Sequence, residues 1–355
     1  RIPLQTKGPV FIQGYLATGK QRSALSVRTD GFTIGRQPFG TSSLYFDGQG
    51  TRYHCLVKTQ KEFAGKQFDV MAKLSTRDSL LDSRIAWNAH ESAEDYSGSV
   101  SASTRFYANR EAVNFRTQVH PTGFTLDGLP WKIGSGEISL LNREVTFRNI
   151  SLNHEQQGIK VDGRFSLQKN DSIVAELKDI DVEYILDLVN FHAVDFGGRA
   201  TGKAIFTKSN DAPDLHARLY IPDFTFNHGP MGRTTIDGTW SPRDNRIYLD
   251  ADMKLPQGFD LGTKVNGFVS LAEKGLKLHI QANRTNLSFL KRYMDGIFEN
   301  FSGEATGAVT LYGPFKALDF RGKLTADASA RIPATGVAYH ISNGTVDLSL
   351  IHISE

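Results

Sequence analysis

Phe301–Gly307 reads FSGEATG, and Phe196–Gly202 reads FGGRATG, a step of 105 residues. The same step carries Val182 onto Leu287, Ile185 onto Leu290, Leu219 onto Leu324 and Ile236 onto Ile341. A shared step over that distance marks an internal repeat. A second phrase recurs at similar spacing: FTIGRQP at Phe32–Pro38, FTLDGLP at Phe124–Pro130 and FTFNHGP at Phe224–Pro230. Together they indicate a unit of about 100 residues, and such repetition favours an elongated stack over separate compact domains. The expected units are residues 1–90, 91–180, 181–285 and 286–355, the first partial and the last truncated.

The unit reads as strand. Ile159, Val161, Phe165 and Leu167 alternate with Lys160, Asp162, Arg164 and Ser166. Leu215, Ala217, Leu219 and Ile221 alternate with His216, Arg218 and Tyr220, and Leu276, Leu278, Ile280 and Ala282 keep the same period. Period two gives each strand one apolar and one wet face. Asp30-Gly31, Asp47-Gly48, Ser302-Gly303 and Asn343-Gly344 read as turns between runs. Meandering antiparallel strands follow, because covering helices for a parallel sheet are almost absent. The Phe-Thr phrase reads as a hairpin corner: a strand end, three variable turn residues, then a Pro that cannot donate to a ladder and sits at a strand start or edge. Two short amphipathic helices are expected, at Asp181–Val189 and Asn286–Phe298, with Asp181 and Asn286 as N-caps.

Motifs for chemistry are scarce. The chain has no G-x-S-x-G, H-E-x-x-H or P-loop sequence. Its ten histidines are scattered singly, and Asp250 with Asp252 is too few oxygens for a calcium site. Cys55 is the one cysteine, so neither a disulfide framework nor a thiolate metal site can form within the chain. A formal charge of +3, without a basic track, gives no argument for nucleic acid. No cofactor and no catalytic residue is expected, and the chain reads as no enzyme. It also reads as a piece of a longer protein.

A geometric problem stands out instead. At ordinary strand and loop lengths about twenty-five to thirty strands fit. An open sheet of that size would expose more apolar area than a monomer tolerates. It must close, pair, fold over, or hold an apolar ligand. Small residues on the apolar face (Ala102, Gly163, Ala204, Gly238, Gly322, Ala326) favour a curled gutter with room inside over a filled sandwich. The lining expected from strand parity is Val161, Phe165, Leu167, Phe206, Leu219, Val265, Val269, Leu278, Val309 and Leu311. A slip of one residue would turn any of them outward.

These residues resemble the repeats of the TamB family, the bacterial translocation and assembly module proteins, and of their AsmA-like relatives. The resemblance rests on VEYILDLVN at Val182–Asn190, the F-x-G-x-A-T-G strand entrance, DLHARLYIPDFTFNHG at Asp214–Gly229 and RDNRIYLDADM at Arg243–Met253. The second copy, Leu287–Ile332, adds G-x-x-x-G-x-x-x-x-x-G-P-F at Gly303–Phe315. Residues 1–180 share only the strand rhythm and the turn phrase. The resemblance implies an all-β, taco-shaped sheet with a hydrophobic inner groove. It implies a periplasmic location in a two-membrane bacterium, with an inner-membrane anchor outside this piece. It also implies phospholipid carried between the membranes, and an Omp85-class barrel partner in the outer membrane. Alternatives to a lipid conduit are a scaffold holding strands of outer-membrane barrel proteins and, last, an enzyme or adhesin on a repetitive β scaffold.

Overall fold

The computed structural model describes residues 4–35, 37–63, 65–107, 113–166, 171–183, 195–209, 212–255, 262–270, 272–291, 298–315, 317–348 and 352–354. The chain is nearly all-β, with 80% of residues in strands of a large antiparallel sheet. It divides into two compact units, Arg1–Ile173 and Val174–Glu355.

The first unit contains β1 (Leu4–Thr6), β2 (Val10–Ala17), β3 (Arg22–Thr29), β4 (Phe32–Ile34), β5 (Gln37–Phe39), β6 (Ser42–Gln49), β7 (Arg52–Phe63), β8 (Lys66–Arg77), β9 (Leu80–Ala89) and β10 (Ser97–Tyr107). It continues through β11 (Asn114–His120), β12 (Thr122–Leu126), β13 (Leu129–Ile133), β14 (Gly136–Leu141), β15 (Glu144–His154) and β16 (Gln157–Phe165). β1, β4 and β5 make a small three-stranded sheet, and the rest form an antiparallel meander. β11 and β12 are in effect one strand interrupted at Pro121, as β13 and β14 are one strand interrupted after Ile133. Phe115↔Leu140 and Thr122↔Ile133 keep a single register across both breaks. The ring of pairings that these breaks create is therefore a formal one, and the order of neighbours stays that of the sequence.

β17 (Ser172–Asp181) runs into the second unit, which holds β18 (Phe196–Gly197), β19 (Arg199–Ser209), β20 (Ala212–Phe226), β21 (Gly229–Ser241), β22 (Arg246–Lys254) and β23 (Gly262–Ser270). β24 (Gly275–Asn286), β25 (Glu299–Pro314), β26 (Ala317–Ile332), β27 (Val337–Asp347) and β28 (His352–Ser354) complete it. The 105-residue step is visible in these elements. β17 ends at Asp181 and β24 at Asn286, and β20 starts at Ala212 and β26 at Ala317. Ala200 and Ala305 are both buried, as are Ile221 and Ala326.

The three Phe-Thr phrases form two-residue hairpins, tighter than the three-residue turn expected. The strands meet at Ile34↔Gln37, Leu126↔Leu129 and Phe226↔Gly229. The turn residues take positive φ: Gly35 at 62°, Asp127 and Gly128 at 53° and 74°, Asn227 and His228 at 45° and 62°. These are the mirror-image turns that match the twist of a hairpin. Each Pro lies directly across from the Thr of its own phrase: Thr33↔Pro38, Thr125↔Pro130 and Thr225↔Pro230. That is the pair that exchanges no backbone hydrogen bonds, so the missing N–H costs nothing on that side. In two phrases the Phe stacks on an aromatic across the ladder, Phe32 on Phe39 at 4.8 Å and Phe124 on Trp131 at 6.2 Å.

Three expected turns fall inside strands. Asp47-Gly48 lies in β6, Ser302-Gly303 in β25 and Asn343-Gly344 in β27. Gly48 sits under the Tyr53 ring, whose carbon would be 2.6 Å from an added Cβ, so this glycine serves ring packing. Asn343 belongs to a recurrent bulge. Asn149, Asp179, Arg284 and Asn343 all take φ between 49° and 55°. Each donates its N–H to a side-chain oxygen on a neighbouring strand: Asp162 at 2.6 Å, Thr201 at 3.0 Å, Thr306 at 3.0 Å and Asp327 at 2.8 Å. The ladder loses register at Phe147/Ile150, Ala282/Thr285 and Ala326/Ala328. Such bulges bend the strand and sharpen its twist. The Thr201 and Thr306 anchors are again 105 residues apart.

The two expected helices are not seen as helices. Only Asp181–Glu183 of the first are described, and there the Asp181 carboxylate accepts from Glu183 N–H at 3.1 Å. At the second, Asn286 caps a 3₁₀ turn, Leu287–Leu290, accepting from Ser288 N–H at 2.8 Å. Residues 184–189 and 292–297 lie outside the described residues. No helix among the described residues is long and apolar enough to cross a membrane.

Candidate functional site

The second unit presents its apolar side chains as parallel rows on one sheet face. One row runs Leu219↔Ile236↔Ala251↔Val265↔Ile280↔Val309 across six strands. The next runs Ala217↔Gly238↔Leu249↔Gly267↔Leu278↔Leu311. A third holds Phe206, Leu215, Trp240, Ile247, Val269 and Leu276. Rows on one face are two residues, or about 6.7 Å, apart along the strands, and neighbouring strands are about 4.8 Å apart. Thus Phe206, Leu219, Val265, Val269, Leu278, Val309 and Leu311 all share one face.

Val161 and Phe165 lie on one face of β16 in the first unit, opposite Ile150 and Val145. Leu167 lies outside the described residues. That unit has its own rows, which the sequence reading passed over. Gly14↔Leu25↔Phe46↔Cys55↔Leu74 is one, and Ile12↔Val27↔Leu44↔Val57↔Ala72↔Ile85 is another. The signal was available as plain alternation in residues 22–85.

The opposite face is polar. Arg218 grips Asp237 with two bonds of 2.7 and 3.0 Å, and the hydrogen bonds from Arg218 hold the Asp237 carboxyl below the usual range. Arg246 reaches Glu273 and lies over the Phe268 ring at 4.0 Å, while Arg284 meets Glu304 at 2.7 Å. These pairs are exposed, so each is worth only about 0–1 kcal/mol. They keep that face in water more than they hold the fold.

The apolar face is covered unevenly. Fully buried clusters occur in the second unit, around Ile221, Leu311 and Leu287. Elsewhere the rows stay half-buried, and Leu25 and Ile85 are 37% and 45% exposed. The second unit also folds back on itself. Gly229 opens β21 and Phe289 follows β24, with β22 and β23 between them in the ladder, yet a Cβ on Gly229 would lie 2.4 Å from Phe289 N. The Phe226 and Phe289 rings are 5.3 Å apart.

The small residues are not all spacers. A Cβ at Gly163 would meet Ser172 O at 2.2 Å, and one at Gly322 would meet Ala308 O at 2.2 Å. Both have φ above 120°, a region open to glycine alone. These two serve backbone bending. Of the three glycines in that set, Gly238, with its nearest neighbour at 3.6 Å, is the one that leaves side-chain room.

Cys55 lies half-buried on the apolar face of the first unit, where burial pushes its thiol up. Among the described residues no group of His, Cys, Asp or Glu is placed to hold a metal ion. Compared with protein-family models, with curated proteins and with solved structures, the chain matches none.

Proposed function

We propose that this chain is a segment of a bridge-like protein that carries phospholipid along a hydrophobic groove between two membranes. The observation that carries the reading is the set of apolar rows on one face of each unit, left half-exposed over much of their length. An acyl chain laid along them gains about 0.8 kcal/mol for each methylene buried. No specific motif is needed, and repeated rows offer sites of similar energy, which is what movement along the face requires. The folding back of β21 toward Phe289 supports a sheet curled into an open gutter. In this reading the chain is not an enzyme. It works in the periplasm, within a protein anchored to the inner membrane, and supports outer-membrane biogenesis with an Omp85-class barrel partner.

The test is native mass spectrometry of the purified chain with lipid extraction. Bound phospholipid is expected, and Val269→Asp should lose it while Asn266→Asp, on the polar face of the same strand, keeps it. A folded chain that stays empty after incubation with liposomes overturns the reading. A second reading, a scaffold that holds strands of outer-membrane barrel proteins, is favoured by β2. Among the described pairings β2 bonds only to β3, and it exposes Phe11, Ile12, Tyr15 and Leu16. A free edge of this kind accepts an added strand.

Cys55 gives an independent check. Only the thiolate reacts, so its raised pKa slows alkylation at neutral pH, and the rate climbs as pH rises. Preloading with phospholipid should slow it further at every pH. Equal rates with and without lipid would remove Cys55 from the groove.

A further inference from the structure

Phe196, Phe226 and Phe289 make a continuous ring contact over the apolar face of the second unit. Phe196 lies 5.8 Å from Phe224 and 5.4 Å from Phe226, and Phe226 lies 5.3 Å from Phe289. Phe196 and Phe226 pack against the buried cluster around Ile221 and also against the one around Leu311. Phe289 packs against the third, around Leu287. These rings therefore join the first cluster to the second on that face.

Of the three rings, Phe196 alone is mounted on the short strand β18. β18 is two residues long and is separated from β19 by Gly198, at φ 124°. Small positive-φ positions of this kind absorb backbone rotation. Asp195, directly before β18, is held to the Asn227–His228 turn by a reciprocal pair of bonds. Asn227 N–H donates to Asp195 O at 2.7 Å, and Asp195 N–H donates to Asn227 Oδ1 at 3.0 Å. His228 Nε2 lies 3.6 Å from the Asp195 carboxylate, in the open.

We propose that the three phenylalanines form an aromatic barrier across the apolar face, and that β18, turning on Gly198, is the flap that opens it to an acyl chain. The proposal rests on the lipid-carrying reading above and adds a regulated step to it. With β18 closed, the rings divide the face. With β18 displaced, Phe196 leaves Phe226 and the two parts of the face join.

The flap can be locked. A Cβ on Gly197 would lie 3.9 Å from Thr225 Cβ, and the two residues face each other directly. Disulfides favour a Cβ separation of about 3.5–4.5 Å. The experiment uses Gly197→Cys with Thr225→Cys in a Cys55→Ser chain. It follows transfer of a fluorescent phospholipid from donor to acceptor vesicles of phosphatidylethanolamine and phosphatidylglycerol, with bound lipid counted by native mass spectrometry. The oxidised protein should retain bound lipid while transfer falls to the protein-free rate, and reduction should restore transfer. Phe226→Ala, without the lock, should transfer faster than the unaltered chain. Equal transfer by the oxidised and reduced forms, both lipid-loaded, overturns the barrier and leaves the groove standing. A reduced form that binds no lipid overturns the groove and the barrier with it.

Discussion

Gly307→Val is expected to lower the stability of the second unit by about 2–6 kcal/mol, the sum of backbone strain and overpacking. Gly307 has φ 149° and lies in the middle of β25, between Ala282 and Leu324. An added Cβ would stand 2.4 Å from Lys323 O and 3.0 Å from Leu324 Cα. The near neighbours are backbone, so no rotamer change relieves the clash. Gly202, one repeat earlier, has the same close approach without the positive φ, with Arg218 O at 2.0 Å. Both glycines end the A-T-G of the repeated phrase. Their role is to let the next strand approach closely where the ladder bends. Urea unfolding followed by far-ultraviolet circular dichroism measures the effect. Ala308→Val, on the polar face one residue on, is the control and should stay within about 0.5 kcal/mol. If the two substitutions cost the same, the glycine conformation is dispensable and the bend has another origin.

The sequence showed the faces better than it showed the path of the chain. Parity is a local property, and in β20, β23, β24 and β25 the alternation ran unbroken through every residue chosen for the lining. Hence those side chains share a face. The bulges were invisible. Asn149, Asp179, Arg284 and Asn343 are not of a single residue type, and what unites them is an acceptor on a neighbouring strand, a long-range fact. After Ala282 the bulge flips parity, so Thr285 continues the inner face and meets Thr263 at 2.6 Å. Alternation alone would have turned Thr285 outward. The glycine-containing pairs misled for a related reason. Asp47-Gly48 and Asp127-Gly128 differ in where the ladder places them, and only the second closes a hairpin. The curl of the second unit depends on Phe289 meeting Gly229, residues 60 apart with no pattern between them.

Ile221→Ala and Leu25→Ala remove similar aliphatic side chains from the apolar faces of the two units, and they should differ sharply. Ile221 is 1% exposed among Ala200, Phe224, Met231 and Met253. Truncation there leaves a cavity and should cost about 2–5 kcal/mol. Leu25 is 37% exposed, opposite Gly14 and Phe46, and belongs to none of the buried clusters. Solvent already reaches that site, so little cavity forms and the loss should be about 1 kcal/mol or less. Paired urea titrations of each variant against the unaltered chain read the difference. Leu25→Asp then separates fold from cargo. A carboxylate at a water-accessible position keeps its hydration, so unfolding changes little, while an acyl chain lying across it would have to strip that hydration away. The expected outcome is a folded protein with less bound lipid. Should Leu25→Ala destabilise as much as Ile221→Ala, the first unit's face is a packed core and offers no surface to a lipid.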